Sequence, residues 1–496
     1  MPRLSAATLA LAAAGVRLPG YDRAKLRPRI VHLGLGAFAR AFVAEFTEDA
    51  LPFGGGDWGI VGVSLQRPDQ RDRLAPQDGL YTALARDSAK VSARIIGCVL
   101  GVLVAPENPE AVIAAMASAE CRIVSLTVTE KGYCHDPATG TLNFGHPDIV
   151  ADLANPAAPR SAVGFLVAAL ARRRAAGLSP FTVLCCDNLP RNGALLAGLV
   201  NAFGRRRDAG LADWIAARGA FPSTMVDRIA PAATEADLAD AAKLTGLEDQ
   251  AVVTHELFRQ WVIEDRFVGE SHPAWKAVGA QLVRDVAPYE HMKLRLLNGA
   301  HSALAYLGYL SGRETIMQAV ADDVLRRFIL DLWREEIIPV VPPPPGVDLN
   351  AYAFELMHRF ENRAIRHRTW QIAADGSQKL PQRLLSTIRE RLARKLPARR
   401  LAHVAAAWIR YVGGIDEAGQ AIDLRDPLAA QLRATLDAAG DEPSVRVAAI
   451  LGVEAVFGSD LRGNAEFVAD VIAAYAAIVT LGARAATANL LIAGEF

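Results

Sequence analysis

The chain has 496 residues, of which 51% are hydrophobic and 22% are charged. This composition is typical of globular proteins, and the length exceeds what one hydrophobic core usually supports, so we expect at least two domains. Lys plus Arg and Asp plus Glu both total 54, which gives a formal net charge of zero. A balanced charge argues against a nucleic-acid partner. No run reaches the ~18 apolar residues of a membrane helix.

The cysteines are few and odd in number, and they lack the C-x-x-C spacing of zinc sites: Cys98, Cys121, Cys134, Cys185 and Cys186. They predict neither a disulfide framework nor a metal site, and they fit a reducing cytoplasm. The opening segment MPRLSAATLALAAAG has some features of a secretory signal. Only one basic residue precedes its apolar stretch, however, so we expect a cytoplasmic protein.

The first half of the chain alternates between apolar runs and helical stretches. The runs are rich in Val, Ile, Leu and Thr and cover 29–33, 58–63, 122–129, 181–186 and 223–229, while helices are predicted at 38–51, 162–175 and 192–203. Strands that are buried on both faces and alternate with helices indicate a parallel, doubly wound sheet. We therefore predict an α/β domain over residues 1–283.

A glycine-rich turn joins the first predicted strand to the first predicted helix. Its sequence, GLGAFA at 34–39, fits the pattern G-x-G-x-x-A. Such glycines let the backbone turn tightly and approach a pyrophosphate, which the helix N-terminus then receives. The motif predicts dinucleotide binding, although an incidental tight turn is the alternative. The candidate residues are Gly34, Leu35, Gly36, Ala37 and Phe38.

The second predicted strand ends without an acidic residue at its tip, where the adenosine ribose would be recognised. Arg67 is suited to pairing with a 2′-phosphate or to stacking on adenine, and Asp69 is close enough to accept from a ribose hydroxyl. NAD and NADP therefore both remain possible on spacing alone.

Polar residues follow three of the later apolar runs. They are the segments TEKGY at 129–133, CDNLP at 186–190 and MVDR at 225–228. Ligands of open α/β sheets bind where strands end. Each segment alone is often a cap or a turn, but three together favour a binding site.

The second half of the chain changes character after about residue 283. Pro288 begins a helical stretch, and helices are also predicted at 324–338, 382–396, 403–412 and 465–481 and after Asp426 and Pro427. No strand alternation or internal repeat is visible. We predict an almost entirely helical domain over residues 284–496.

The segment YEHMKLRLLNGAH at 289–301 carries the strongest chemical signal. On a regular α-helix Lys293, Asn298 and His301 fall at roughly 0°, 140° and 80° around the axis, so one face presents an amine, an amide and an imidazole. A buried Lys with a depressed pKa can take a proton from an alcohol, and amides can hold the developing oxyanion. An amphipathic helix with a polar edge is the alternative interpretation.

Several of these segments together resemble the long-chain mannitol dehydrogenase family of polyol and hexonate dehydrogenases. They are GLGAFARA, SLTVTEKGYC, CDNLPRNG, MVDRIAPAAT, WVIEDRF and MKLRLLNGAHSALAYLGYLSG. The resemblance implies a Rossmann-type domain followed by a helical domain, an NAD(P) cofactor and no metal. It also implies Lys293 as general base, Asn188 and Asn298 on the reacting oxygen, His301 and Asp227 on the substrate, and Glu130 in proton transfer to water.

Two departures from the family pattern bear on function. The family turn usually reads GAFHRAH, but Ala39 and Phe42 occupy the two histidine positions here. Polyol-type members carry an Arg where this chain has Gln371. The segment 369–383, with 408–428, instead resembles the D-mannonate oxidoreductase branch.

The substrate that follows from this branch is a sugar acid, D-mannonate interconverted with D-fructuronate. Its carboxylate needs a cation, and Lys379 and Arg383 are the candidates, although both are also plausible surface residues. The alternatives are a polyol 2-dehydrogenase acting on D-mannitol or a related alditol, and a non-catalytic NAD-linked sensor of sugar acids. An intact Lys293, Asn188 and Asn298 argues against the sensor.

Overall fold

The computed structural model describes residues 1–54, 56–88, 90–136 and 139–493. Its contacts divide the chain into two compact units, Met1–Ala287 and Pro288–Phe496. The first unit therefore extends four residues beyond the boundary that composition suggests. Within the described part of the chain, no helix combines the length and apolarity that crossing a membrane requires.

The first unit is built on a five-stranded sheet with strand order β5-β2-β1-β6-β7, in which every neighbouring pair is parallel. The four last residues of β1 are fully buried, as expected for a central strand covered on both faces. The predicted doubly wound α/β domain is confirmed. The strands of this sheet are β1 Arg27–Leu33, β2 Trp58–Ser64, β5 Val99–Val104, β6 Ile123–Leu126 and β7 Thr182–Cys185.

Helices connect these strands and cover the sheet. Asn108, Ser161 and Thr234 cap helices through their side chains, each accepting from a backbone N–H of the first turn. The helices are α1 Ala37–Ala41, α2 Val43–Ala50, α3 Asp69–Leu74, α4 Pro109–Ala117, α5 Pro147–Ala154, α6 Ala162–Ala175, α7 Asn192–Arg207, α8 Ala209–Arg218 and α9 Glu235–Thr245.

Two smaller sheets complete the first unit, with strand orders β4-β3-β9 and β11-β10-β8. The run 223–229 was expected in the parallel sheet, but β8 pairs antiparallel with β10 instead. A short apolar run has no period that separates the two kinds of pairing, so the sequence could not distinguish them. The strands are β3 Tyr81–Arg86, β4 Val91–Ile96, β8 Thr224–Asp227, β9 Val253–Glu256, β10 Gln260–Glu264 and β11 Gln281–Val283.

The second unit is helical, as predicted, and its described residues form no β-strand. Its core includes the fully buried Tyr306, Trp333 and Trp408. The helices are α10 Ala287–Met292, α11 Gly299–Leu310, α12 Ile316–Val320, α13 Asp323–Asp331, α14 Leu349–Phe360, α15 Thr369–Ala373, α16 Gly376–Leu380, α17 Ser386–Ala393, α18 Arg399–Val412, α19 Ala429–Ala439, α20 Pro443–Leu451, α21 Glu454–Phe457, α22 Ala465–Leu481 and α23 Ala483–Ala493.

Three π-helical segments interrupt this unit: Lys293–Asn298, Leu332–Ile337 and Pro381–Leu385. The expectation of a regular α-helix through residues 293–301 was wrong, because Gly299 N–H donates to the carbonyl of Leu294, five residues back. The indole of Trp333 donates to the carbonyl of Leu296 at 2.9 Å, which supports the widened turn from outside. Such turns occur often at functional sites.

Candidate active site

The glycine-rich turn follows β1 and begins α1. Gly34 has a φ of +88°, and a Cβ at this position would lie 2.2 Å from the carbonyl oxygen of Thr127. A side chain is therefore excluded there by the protein itself. At Gly36 a Cβ would meet only the Gly34 carbonyl oxygen, at 3.9 Å. Since the protein leaves that space open, a glycine at 36 suits the close approach of a ligand such as a pyrophosphate.

The Gly36 N–H donates to the Gly34 carbonyl at 2.7 Å, and the other N–H groups of the turn divide into two sets. Those of Gly34 and Leu35 donate to the carbonyl of Val63, at 2.8 and 3.4 Å, and so hold the turn against β2. Those of Ala37 and Phe38 lie in the first turn of α1, where the helix offers them no carbonyl partner. The second set is the one suited to receiving an anion.

A buried histidine of β1, His32, supports the glycine-rich turn through hydrogen bonds, and the sequence analysis did not identify it. The two ring nitrogens of His32 lie 2.7 Å from Ser125 Oγ and 2.8 Å from Thr127 Oγ1, and the Thr127 hydroxyl donates to the Gly34 carbonyl at 2.8 Å. Burial lowers the pKa of His32 to about 3, so the ring is neutral. This chain of hydrogen bonds ties the turn to β6.

Arg67 and Asp69 lie beyond the end of β2, and both are exposed. Asp69 is the first residue of α3 and lines a cavity of about 300 Å³. Arg3 and Arg73 line the same cavity. Acidic and basic side chains thus occur together near the end of β2, where recognition of the adenosine is expected.

Three predicted site residues of the first unit follow the ends of strands. Glu130 begins a short 3₁₀ turn, Glu130–Tyr133, after β6, and Asn188 follows β7, the neighbouring parallel strand. Both are exposed. Asp227 is the last residue of β8 and is only 2% exposed.

Asn192 joins the strand of Asp227 to the main sheet. Its side-chain amide donates to the carbonyl oxygens of Asp187 and Thr224, both at 3.0 Å, and its oxygen accepts the N–H of Thr224 at 2.9 Å. The Thr224 hydroxyl in turn donates to the carbonyl of Cys185. The last residue of β7 is therefore held to the first residue of β8, although the two strands belong to different sheets.

Asp187 is a second supporting residue that sequence reasoning passed over. One of its carboxylate oxygens accepts from the Val128 N–H at 2.8 Å and the Tyr133 hydroxyl at 2.7 Å, and the other accepts from the Thr129 N–H at 3.2 Å. Burial raises the pKa of Asp187 to about 6, although the hydrogen bonds oppose that shift. Its place directly after an apolar strand and beside Asn188 was the available signal.

The second unit carries the remaining predicted site residues. Lys293 and Asn298 are the first and last residues of a π-helical segment, and His301 lies in the first turn of α11. All three are less than a tenth exposed. The widened turn alters the angular spacing that a regular helix would give them, so the angles predicted from the sequence do not apply.

His301 is a buried titratable group of this segment. Its ring centroid lies 4.7 Å from that of Phe360 and 5.1 Å from that of His367. Its Nε2 is buried and makes no hydrogen bond with the described residues. Burial, followed by the positive charges around it, holds the pKa of His301 well below its usual range. The ring is therefore neutral, with one polar atom left to bind a ligand.

Besides burial, the groups that lower the pKa of His301 are the neighbouring His367 and three basic side chains, Arg383, Arg359 and Lys293. The pKa of His367 is itself lowered to about 4, first by burial and then by Arg383 and Lys379. We call Arg359, Lys379 and Arg383 the cationic cluster; Lys293 is left out of it, because an amine must be neutral to act as a base. These basic side chains lower the pKa values of two neutral imidazoles, those of His301 and His367, inside one compact unit.

Lys379 and Arg383 both belong to this cluster but differ in their contacts. The Lys379 ammonium donates to the carbonyl of Ala374 at 2.6 Å, near the end of α15, which is a structural hydrogen bond. Arg383 donates to the hydroxyl of Ser302 at 3.3 Å, on the residue next to His301. Pro381 lies between them without ending the helical path, because α16 leads directly into the π-helical segment that Pro381 begins. Proline is tolerated at such a first position.

One group of potential metal ligands occurs among the described residues. Single ligand atoms of Cys134, His146 and Asp148 lie within 4.8 Å of one another. Burial and the charges of Asp148 and Asp152 raise the pKa of Cys134 to about 11, which disfavours the thiolate that metals bind. His146 Nδ1 accepts the Asp148 N–H at 3.2 Å and caps α5. Helix capping thus accounts for this histidine.

Comparisons with known proteins identify the family. Residues 28–277 match the model of the mannitol dehydrogenase Rossmann domain, and residues 285–479 match that of the mannitol dehydrogenase C-terminal domain. The chain belongs to the mannitol dehydrogenase family. It is an oxidoreductase with the two-part architecture of that family, so the family resemblance of the sequence motifs is confirmed.

Relatives within the mannitol dehydrogenase family differ in their named substrates. The chain is 47% identical to the D-mannonate oxidoreductase of Escherichia coli (strain K12), over 96% of this chain and 98% of the relative. It is 43% identical to the mannitol 2-dehydrogenase of Phaeosphaeria nodorum, over 96% and 83%. The structure of Pseudomonas fluorescens mannitol 2-dehydrogenase with NAD and D-mannitol matches with a TM-score of 0.91 and 38% identity, covering 99% of both chains.

Proposed function

We propose that this oxidoreductase interconverts D-mannonate and D-fructuronate with NAD as the hydride carrier. The observation that carries the proposal is the position of Arg383, which donates to the hydroxyl of Ser302 at 3.3 Å beside the buried His301. A hexonate is an anion, and buried or half-buried cations stabilise a carboxylate by charge-assisted hydrogen bonds. A neutral polyol can accept a hydrogen bond from such a cation but has no charge to pair with it. The similarity to a D-mannonate oxidoreductase supports the same substrate.

The turn after β1 supports the choice of a dinucleotide cofactor. NAD, when bound, accepts a hydride from the carbinol carbon of the substrate. Gly34 fixes the turn, Gly36 leaves room for a close approach, and the N–H groups of Ala37 and Phe38 are placed to receive a pyrophosphate. We propose that Arg67 and Asp69 contact the adenosine part. NADP stays the alternative, because the acidic Asp69 would suit the ribose hydroxyl of NAD and the basic Arg67 would suit the 2′-phosphate of NADP.

The chemical steps fall to the residues named from the family resemblance. Lys293 takes the hydroxyl proton as general base, while the amides of Asn188 and Asn298 hydrogen-bond the reacting oxygen as its charge develops. His301 orients the substrate through its buried Nε2, which has no hydrogen bond within the described residues. Asp227 binds substrate hydroxyls, and Glu130, which is exposed, passes the proton on to water.

Polyol 2-dehydrogenation is the second candidate function. The similarity to mannitol 2-dehydrogenases, one of them solved with D-mannitol, favours it. A non-catalytic sensor of sugar acids is a poorer explanation, because a sensor needs no buried amine beside an amide. For location we propose the cytoplasm, since all five cysteines are free thiols.

Cofactor reduction with a substrate panel tests the proposal. The purified protein is assayed with D-mannonate, D-mannitol and other alditols, each with NAD and with NADP. We expect the highest kcat/KM for D-mannonate with NAD. A clear preference for D-mannitol would replace the hexonate assignment with the polyol one, and turnover of no alcohol in the panel would favour the sensor.

A further inference from the structure

Two of the proposed site residues in the first unit lie on segments that one carboxylate connects. Glu130 follows β6 and Asn188 follows β7, and Asp187 precedes Asn188 directly. The Asp187 carboxylate receives three hydrogen bonds, from the N–H groups of Val128 and Thr129 and from the hydroxyl of Tyr133. These donors lie on both sides of Glu130 in the chain, so the segment around Glu130 is anchored at both ends.

The anchored segment has a backbone that would not hold its shape unaided. Thr129 has φ 65° and ψ 163°, a region that residues with a side chain rarely occupy. Cys134, which ends the 3₁₀ turn, has φ 52°. Such conformations cost free energy and persist where the surroundings determine them. The Thr129 N–H that binds Asp187 belongs to the strained residue itself.

Tyr133 completes the anchor from the other side of Glu130. Its ring is fully buried, and its hydroxyl lies 2.7 Å from Asp187 and 2.9 Å from Cys185 Sγ. Tyr133 therefore joins the far end of the 3₁₀ turn to the last residue of β7 as well as to Asp187. An exposed Glu130 gains its position from these buried neighbours.

We propose that Asp187 is a positioning residue that sets where Glu130 lies relative to Asn188 by holding residues 128–133 against the end of β7. Its effect on the reaction rests on the proposed function, in which Glu130 relays a proton and Asn188 polarises the reacting oxygen. Asp187 acts through these residues. Removal of the Asp187 carboxylate displaces Glu130 and Asn188 and leaves the glycine-rich turn in place.

Hydrogen exchange tests the anchor without any substrate. In Asp187→Asn only one carboxamide oxygen can accept, so we expect faster amide exchange at Val128 or Thr129 in the resting protein. Asp152→Asn is a matched control: Asp152 is fully buried and likewise accepts two backbone N–H groups, from Arg160 and Ser161, and one hydroxyl. Unchanged exchange at 128 and 129 in Asp187→Asn overturns the proposal.

Steady-state kinetics test how the loss of the Asp187 carboxylate affects turnover, measured with whichever substrate of the panel the protein oxidises. We expect Asp187→Asn to lower kcat about 10- to 100-fold, the usual scale for a small misplacement of reacting groups, with the KM for NAD unchanged. Tyr133→Phe, which removes one hydrogen bond and keeps the ring, should give a smaller loss in the same direction. A loss no larger than that of folded Asp152→Asn contradicts the positioning role.

A double-mutant cycle separates positioning through Glu130 from a general structural role. If Asp187 acts largely through Glu130, adding Asp187→Asn to Glu130→Gln costs much less than Asp187→Asn alone. Losses that multiply in full would show that the two residues act independently and would overturn the proposal. Turnover of no alcohol by the wild-type protein counts against the proposed function, and hydrogen exchange then decides the anchor by itself.

Discussion

The buried guanidinium of Arg228 donates a hydrogen bond to the carbonyl oxygen of Ala41, at 2.6 Å. Ala41 is the last residue of α1, and the helix breaks at Phe42 before α2 begins. Arg228 follows Asp227 at the end of β8. One side chain therefore connects the helix after the glycine-rich turn with the strand that carries a proposed substrate-binding residue.

Glu45 balances the charge of Arg228, and its replacement should destabilise the first unit. Glu45 Oε2 lies 3.0 Å from Arg228 and 3.0 Å from His255, and Arg259 pairs with its other oxygen. Removing one partner of a buried ion pair typically costs about 3–5 kcal/mol. We expect Glu45→Gln to lower the free energy of unfolding by that amount in denaturant titrations, with Glu235→Gln, on an exposed helix start, as the control.

The depressed pKa of the Glu45 carboxylate predicts that the protein loses stability in acid. Although burial opposes ionisation, the neighbouring His255 and Arg228 hold the pKa of Glu45 below its usual range. A group whose pKa is depressed on folding stabilises the protein above its unfolded-state pKa, about 4.3, and this contribution is lost as the pH falls further. The stability of wild type should thus drop more steeply below about pH 4 than that of Glu45→Gln. Parallel curves would contradict this assignment.

Lys293→Ala should abolish most of the turnover while leaving cofactor binding nearly intact. Loss of a general base usually lowers the rate by at least ~100-fold, and Lys293 belongs to the unit that does not contain the glycine-rich turn. Single-turnover rates and NAD titration measure the two effects separately. Lys243→Ala, an exposed helical position, is the control. Near-normal turnover in Lys293→Ala on the correct substrate would rule out its role as base.

Alanine at the two glycines of the turn should have different effects. Gly34→Ala combines a positive φ with a clash against the Thr127 carbonyl, so we expect it to destabilise the first unit by about 1–3 kcal/mol. Gly36→Ala meets open space within the protein and should unfold like wild type. It should nevertheless weaken NAD binding by about tenfold or more, because the methyl group stands where the pyrophosphate approaches. Wild-type NAD affinity in Gly36→Ala would argue against the predicted cofactor site.

Arg383 and Lys379 should differ in how strongly they bind the substrate carboxylate. Losing a cation opposite a buried carboxylate costs about 2–5 kcal/mol, so Arg383→Met should reduce kcat/KM for D-mannonate about 30-fold or more. Any activity on D-mannitol should change far less. Lys379→Met should also destabilise the second unit, since the ammonium binds the Ala374 carbonyl.

The ratio of kcat/KM for the two substrates is the measurement that checks this prediction. Arg462→Met, at an exposed position of the same unit, provides the control and should leave the ratio at the wild-type value. If Arg383→Met also leaves the ratio unchanged, this cation does not recognise the carboxylate.

The sequence by itself determined the family, the fold class and the segments that carry the candidate chemistry. Three local patterns can be recognised without knowledge of the tertiary structure. They are the short apolar runs, the glycine-rich turn between strand and helix, and the helical periodicity after about residue 283. The helix Ala162–Ala175 even agrees with its predicted limits, because Ser161 caps its start. The residue roles implied by the family resemblance stay predictions.

Only the tertiary structure decided how those segments are completed. Asp187, His32 and Arg228 support the candidate site through partners between 54 and 187 positions away in sequence, which no local pattern reveals. The indole of Trp333 donates to a carbonyl of the π-helical turn that begins at Lys293, and β8 pairs antiparallel with β10. Local propensity is a weak guide where distant partners satisfy the backbone and the buried polar groups, and this is why these features emerged only from the folded chain.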